Sequence, residues 1–325
     1  MMAEERFTHI GDITGEKPLL SFKEIKIKVP WGHISGKWYG SQNVRPIVCI
    51  HGWMDNAGTF DTLIPLLSRH LPFLAVDLPG HGLSSRIPDG CYYNSIDNIF
   101  VIRLIMQQYN WDKISLIGHS MGSIVTFAFA SLYPDKVDLA VGLDALKPHQ
   151  RAIPKQIETI ATRMEEFLKE DERNRSDSEP PSYTYDELID RLFVGSFHSV
   201  NKDTCQYLLA RNIKRSKLDS NKFYFVRDRR LKYYNYQIGN QDLVNEMARR
   251  ITCPYLFVKA NSSTYFEEKK FYFDTLSVMK ENPKFELAAS EGTHHFHLNN
   301  PEKVCETINT FICKYRPQDV PTSKL

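Results

Sequence analysis

The chain of 325 residues has no apolar run approaching the roughly 18 residues of a membrane span. Its opening stretch, MMAEERFTHIGDITGEK, carries acids where a secretory leader has a basic start and an apolar middle. Neither a membrane span nor export is therefore expected. An excess of one charge is also lacking: 41 Lys and Arg stand against 39 Asp and Glu, interspersed along the chain. Nucleic acid and anionic membranes would find no field to bind. The six cysteines, Cys49, Cys91, Cys205, Cys253, Cys305 and Cys313, show no CxxC spacing. That removes the usual zinc signature and fits reduced thiols packed as small hydrophobes. There is no internal repeat, and no residue pattern calls for a metal or a cofactor.

What is present is an alternating rhythm. EIKIKV and HISGKWYG alternate like the strands of a hairpin. PIVCI (46–50), PFLAVD (72–77), KISLIG (113–118) and DLAVGLD (138–144) are short, branched, apolar runs, the form of parallel strands covered on both faces. TFDTLIPLLSR, SIDNIFVIRLIMQQY and SMGSIVTFAFASLY lie between or after them with apolar positions at helical spacing. The expected class is α/β, a mostly parallel sheet flanked by helices. From 147 to 240 the rhythm gives way to helices and polar loops without strands, and 165–182 (EEFLKEDERNRSDSEPPS) reads as a mobile loop. It resumes with PYLFVKA (254–260), KFELAA (284–289) and a final helix in PEKVCETINTFICKY. Residues 1–146 and 241–325 are thus expected to form the core, and 147–240 a helical cap inserted into it.

Within LIGHSMGS (116–123), Ser120 sits where an apolar strand turns directly into a helix. A turn that tight needs small neighbours, which Gly118 and Gly122 supply, and it lifts the hydroxyl above the carboxyl end of the sheet. The competing role for Ser120 is a helix N-cap. A hydroxyl needs an adjacent base to act as a nucleophile at neutral pH. His294, in EGTHHFHLNNPEKV after the last strand, is the candidate, with His295 and His297 as rivals. The spacing Gly292-x-His294-x-x-His297 is similar to that of related enzymes and favours His294, leaving the rivals to hydrogen bonding within the loop. His119 reads as local support. The imidazole needs a carboxylate to orient it. Asp144, ending DLAVGLD, is favoured over Glu267, the first acid after PYLFVKA; the competing role for Asp144 is the N-cap of the first inserted helix. The N–H groups of Trp53, in HGWMDN, and Met121 would form an oxyanion hole, with His51 and Gly52 shaping the loop. Asp77 and His81 in DLPGHGLSS read as structural.

Together HGWMDNAGTFDTLIPLL, VDLPGHGLSS, IGHSMGS and VPWGHISGKWYG resemble the serine hydrolase-like proteins, the kraken-like branch of the α/β-hydrolase superfamily. The resemblance spans nearly the whole chain and is weakest across the insertion. It implies a capped α/β-hydrolase fold with Ser120 as nucleophile, and the order Ser120, Asp144, His294 is that of the superfamily. The expected activity is hydrolysis of a small-molecule ester or thioester through an acyl-enzyme. The alternative is a ligand-binding protein on the same fold with a slow or silent triad. The resemblance also implies peroxisomal association. Ser323, Lys324 and Leu325 form S-K-L, an address read by the peroxisomal import receptor; without it the location would be cytoplasmic. In the insertion, Arg227, Arg229, Arg230 and Lys232 interleave with aromatics. One role for them is to hold an anionic head such as that of an acyl-CoA; the plainer one has the aromatics packed and the charges facing water.

Overall fold

The computed structural model describes residues 19–175, 178–233 and 239–316, so the S-K-L end lies outside the described residues. The N-terminal hairpin is β1 (Lys23–Val29) and β2 (Gly32–Tyr39), paired antiparallel from Lys23 opposite Trp38 to Val29 opposite Gly32. There follow β3 (Ile47–Ile50), β4 (Phe73–Val76), α1 (Ser95–Gln108), β5 (Ile114–His119), α2 (Met121–Leu132) and β6 (Val137–Leu143). After the inserted segment come α6 (Gln241–Arg249), β9 (Tyr255–Ala260), α7 (Lys269–Met279), β10 (Phe285–Ser290), the short α8 (Phe296–Asn299) and α9 (Cys305–Tyr315). The eight-stranded sheet runs β1-β2-β4-β3-β5-β6-β9-β10. β2 meets β4 antiparallel, and every pairing from β4 to β10 is parallel. This is the α/β-hydrolase fold.

The central strands are apolar on both faces because each face is covered. β3 and β4 are buried at all four positions and β5 at all six. One layer, with Phe127 and Ile102, packs against one face; the other, with Phe60, Phe311 and Ile312, packs against the opposite face. At about 25 cal/mol per Å² of apolar area removed from water, such two-sided burial is the main stabilising contribution. Asn94 starts α1 with a full capping box to Asp97.

Three expectations are corrected. Residues 59–69 do not form a helix; two 3₁₀ turns, Ala57–Phe60 and Ile64–Leu66, stand there. Pro65 cannot donate to a preceding carbonyl, and the hydroxyls of Thr59 and Thr62 bond to His297 Nε2 at 3.0 Å and the Leu298 carbonyl at 2.8 Å. Residues 165–174 are not loop. They complete α3 (Ile153–Asn174), whose last turns are tied by ion pairs from Arg173 to Glu170 and from Arg175 to Asp171. Nor is the insertion purely helical. Besides α4 (Tyr185–Gly195) and α5 (Cys205–Leu209) it contains an antiparallel pair, β7 (Ile213–Arg215) and β8 (Phe223–Phe225). Leu188, Val200, Leu208, Leu209 and Phe223 give it a small core of its own, closed by Leu298.

Candidate active site

β5 ends at His119 and α2 starts at Met121, leaving one residue to make the corner. Ser120 makes it with φ 53° and ψ −115°, strained angles for a residue with a Cβ. Close approach makes the corner possible: a Cβ on Gly122 would stand 2.0 Å from the Ile50 carbonyl oxygen, and one on Gly118 2.2 Å from that of Gly122. The Ser120 side chain makes no capping bond to α2. Its Oγ instead lies 2.8 Å from His294 Nε2.

His294 comes from the loop between β10 and α8, and its Nδ1 donates to Asp144 Oδ2 at 2.5 Å. Asp144 follows β6, with φ 65°. It does not cap the first inserted helix, whose N-cap is Ala152. Its second oxygen, Oδ1, accepts from Lys259 Nζ at 2.7 Å and from the Ala260 N–H at 2.9 Å. The carboxylate is therefore clamped, with one oxygen left for the imidazole. Burial works to raise the Asp144 carboxyl, but His294 and Lys259 outweigh it and hold it below its usual value. Burial also pushes the His294 imidazole below its ordinary value, against the opposing pull of Asp144. At neutral pH the ring is therefore uncharged and able to accept a proton. Glu267 is engaged elsewhere: it pairs with the buried Lys147 and accepts from the Gln150 N–H at 2.8 Å.

Lys259 was invisible as a site residue because it interrupts a strand pattern by a single charge. Asp55 is a second residue missed. It is buried, accepts from His295 Nε2 at 3.2 Å and stands 3.5 Å from His119 Nδ1. His119 Nε2 donates to the His294 carbonyl at 3.0 Å. One carboxylate thus bonds the residue after His294 and lies beside the residue before Ser120, whose Nδ1 has no hydrogen-bond partner. Burial opposes its ionisation, but His295 and His119 hold the carboxyl well below its usual value. His295 Nδ1 also meets Ser199 Oγ at 2.8 Å. With His297 on Thr59, both rival histidines bond outside their own loop. Asp55, His119 and His295 are also, among the described residues, a group whose donor atoms are spaced to suit a metal ion, all within 4.8 Å of one another.

The surrounding loops are held by buried polar groups. His51 Nδ1 donates to the Gly52 carbonyl at 2.7 Å and Nε2 accepts from the Leu78 N–H at 2.9 Å, fixing the loop that carries Trp53. Asp77 accepts from the Ala57 and Leu83 N–H groups and from Arg211 of the insertion. His81 Nε2 accepts from Met54 N–H at 3.3 Å. Above Ser120 opens a cavity of about 1110 Å³, lined by Trp53, Met121, His294 and, from the insertion, Leu192, Phe225 and Arg227 among others. That exceeds the few hundred Å³ that suffice for many small ligands. Of the other inserted charges, Arg229 pairs with Glu170 at 3.2 Å. Arg230 is fully buried, on Asp228 at 2.7 Å and Asp171 at 3.0 Å, so it does not face water.

Comparisons with known proteins agree with this architecture. Residues 45–300 match the family described as alpha/beta hydrolase fold. A Drosophila melanogaster protein named "Probable serine hydrolase" is 35% identical over 294 residues, 90% of this chain and 88% of its own. Homo sapiens serine hydrolase-like protein 2 is 30% identical over 301 residues, 89% of this chain and 93% of its own. Among solved structures, a Pseudomonas aeruginosa protein of hypothetical status superposes with a TM-score of 0.77 at 23% identity, covering 90% of this chain and 99% of that one. The thioesterase domain from the curacin biosynthetic pathway gives 0.73 at 20% identity, covering 89% and 99%.

Proposed function

Because this chain belongs to the serine hydrolase-like proteins of the α/β-hydrolase family, we propose that it cleaves a carboxylic ester or thioester of a small molecule through an acyl-enzyme on Ser120. The observation that carries this is the 2.8 Å contact between Ser120 Oγ and His294 Nε2, with Asp144 at 2.5 Å behind the ring. His294 takes the serine proton as the oxygen attacks the carbonyl carbon, and Asp144 stabilises the imidazolium that forms. The main-chain N–H groups of Trp53 and Met121 hold the developing oxyanion, a contribution of about 3 kcal/mol for one such donor. His294 then passes its proton to the leaving alcohol or thiol. Water, deprotonated by the same ring, releases the acid and restores Ser120. No metal enters these steps.

In this proposal the segment 147–240 is the cap that selects the substrate, as its residues on the cavity wall suggest, and the S-K-L end directs the enzyme to peroxisomes. An alkyl fluorophosphonate tests the chemistry: wild type is expected to label at Ser120 and Ser120→Ala not at all. Equal labelling of the two would refute it. Removal of Leu325 tests the address, with loss of peroxisomal import expected and unchanged import overturning it.

A further inference from the structure

The cavity that holds Ser120 is lined by Arg227, a cation that forms no ion pair among the described residues. Arg227 follows β8 and reaches that cavity. Its Nη1 is shut off from solvent and has no hydrogen-bond partner, and among the described residues the side chain forms no ion pair; its guanidinium rests on the Phe225 ring at 4.2 Å. The acids that line the same cavity have other partners. Asp190 pairs with Lys202 at 2.5 Å, Glu187 accepts from the Thr184 N–H at 2.8 Å, and Asp55 serves His295 and His119. Its neighbours are fixed on both sides, Val226 N–H donating to the Asn212 carbonyl at 2.9 Å and Asp228 N–H to the Gly80 carbonyl at 2.8 Å. The charge is thus presented from a braced backbone rather than from a free loop.

Leaving a guanidinium donor dry and unpaired is costly. The cost shows as an Arg227 pKa lowered by burial to about 10, opposed by Asp55. Such a site is completed by an anion arriving with the ligand. Resting on the esterase or thioesterase reading above, we propose that Arg227 binds an anionic oxygen group of the substrate, carboxylate or phosphate, so that the preferred ester carries a negative charge away from its scissile carbonyl. The aromatic platform beneath favours the planar two-oxygen fork that arginine offers and lysine lacks. Arg229 and Arg230, whose partners are internal, have no part in this.

Binding tests this without chemistry. Using the full chain carrying Ser120→Ala, melting temperature is read in glutarate, in neutral pentanamide and in coenzyme A, with Arg227 intact or replaced in Arg227→Met and Arg227→Lys. Selective stabilisation by glutarate or coenzyme A over pentanamide, lost in Arg227→Met and reduced in Arg227→Lys, is expected. Glutarate marks a carboxylate as the source and coenzyme A a phosphate. No selectivity, or selectivity that survives Arg227→Met, overturns the proposal. With Ser120 present, the ratio of kcat/KM for a glutarate monoaryl ester to that for the pentanoate ester is expected to fall about ten-fold or more in Arg227→Met. An equal loss on both esters would mark a merely structural role and also overturn it. If fluorophosphonate fails to label Ser120 while selective stabilisation persists, the hydrolase reading falls and the anion subsite stands.

Discussion

The indole nitrogen of Trp53 donates to the main-chain carbonyl of Leu231 at 2.6 Å, so the loop beside Ser120 hangs from the inserted segment. The residue assigned an oxyanion N–H is thereby positioned by its own side chain. Trp53→Phe keeps an aromatic ring and removes this bond. A loss of about 1 kcal/mol is expected from a bond of this type. Steady-state kinetics should show it as a several-fold fall in kcat with little change in KM; a fall confined to KM would place Trp53 in substrate binding instead.

The two candidate acids separate cleanly by mutation. Asp144→Asn leaves the imidazole without its anion, and kcat of the folded fraction is expected to drop about 10³- to 10⁴-fold. Glu267→Gln acts the other way: Lys147, fully buried, loses its partner, at about 3 to 5 kcal/mol of stability, while the chemical step in the folded fraction is largely kept. Parallel measurement of kcat and of unfolding midpoint decides between them, and an inactive but stable Glu267→Gln would reverse the assignment.

Lys259 holds the Asp144 oxygen that His294 does not use. Replacing it in Lys259→Met removes the cation that shares the Asp144 carboxylate with the imidazole, so the protonated ring becomes easier to form. The acid limb of kcat/KM depends on neutral His294, whose pKa is lowered by burial, and it should lie below the ordinary histidine value near 6.5. In Lys259→Met the limb should move to higher pH, with kcat at its plateau reduced about ten-fold. An unshifted limb would limit Lys259 to packing.

Stability should fall in mild acid. Burial lowers His81 to about 3 and His297 well below its ordinary value. Unfolded, both take up a proton near pH 6.5, whereas folded they refuse it to far lower pH. The unfolded state therefore binds more protons across that interval, and stability, fully present above pH 6.5, is lost as pH falls, by up to about 1.4 kcal/mol per pH unit for each ring. Melting temperatures between pH 7.5 and 4.5 test this, with a shallower slope expected in His297→Gln. A flat profile would mean the rings are hydrated.

The core was legible because its strands are covered on both faces and so read as unbroken apolar runs. Ser120 was legible because its corner needs glycines at fixed spacing. Legibility ended where a residue's partner is remote. Thr59 and Thr62 spend their hydroxyls on the loop at 297–298, which the local helical spacing of 59–69 does not register. Asp171 prolongs α3 in part through Arg230, 59 residues away. β7 and β8, three residues each, are too short for a period to emerge. Asp55 and Lys259 are lone charges in segments that otherwise look structural, and only folding discloses what faces them.

Arg211 ties the insertion to the sheet. From the insertion, its guanidinium reaches Glu24 in β1 at 2.7 and 2.8 Å and the fully buried Asp77 at 2.7 Å. Cutting out 147–240, or grafting a foreign segment in its place, would strand a carboxylate in the interior of the sheet. Arg211→Met is therefore expected to lower the melting temperature of core and insertion together, which calorimetry would show.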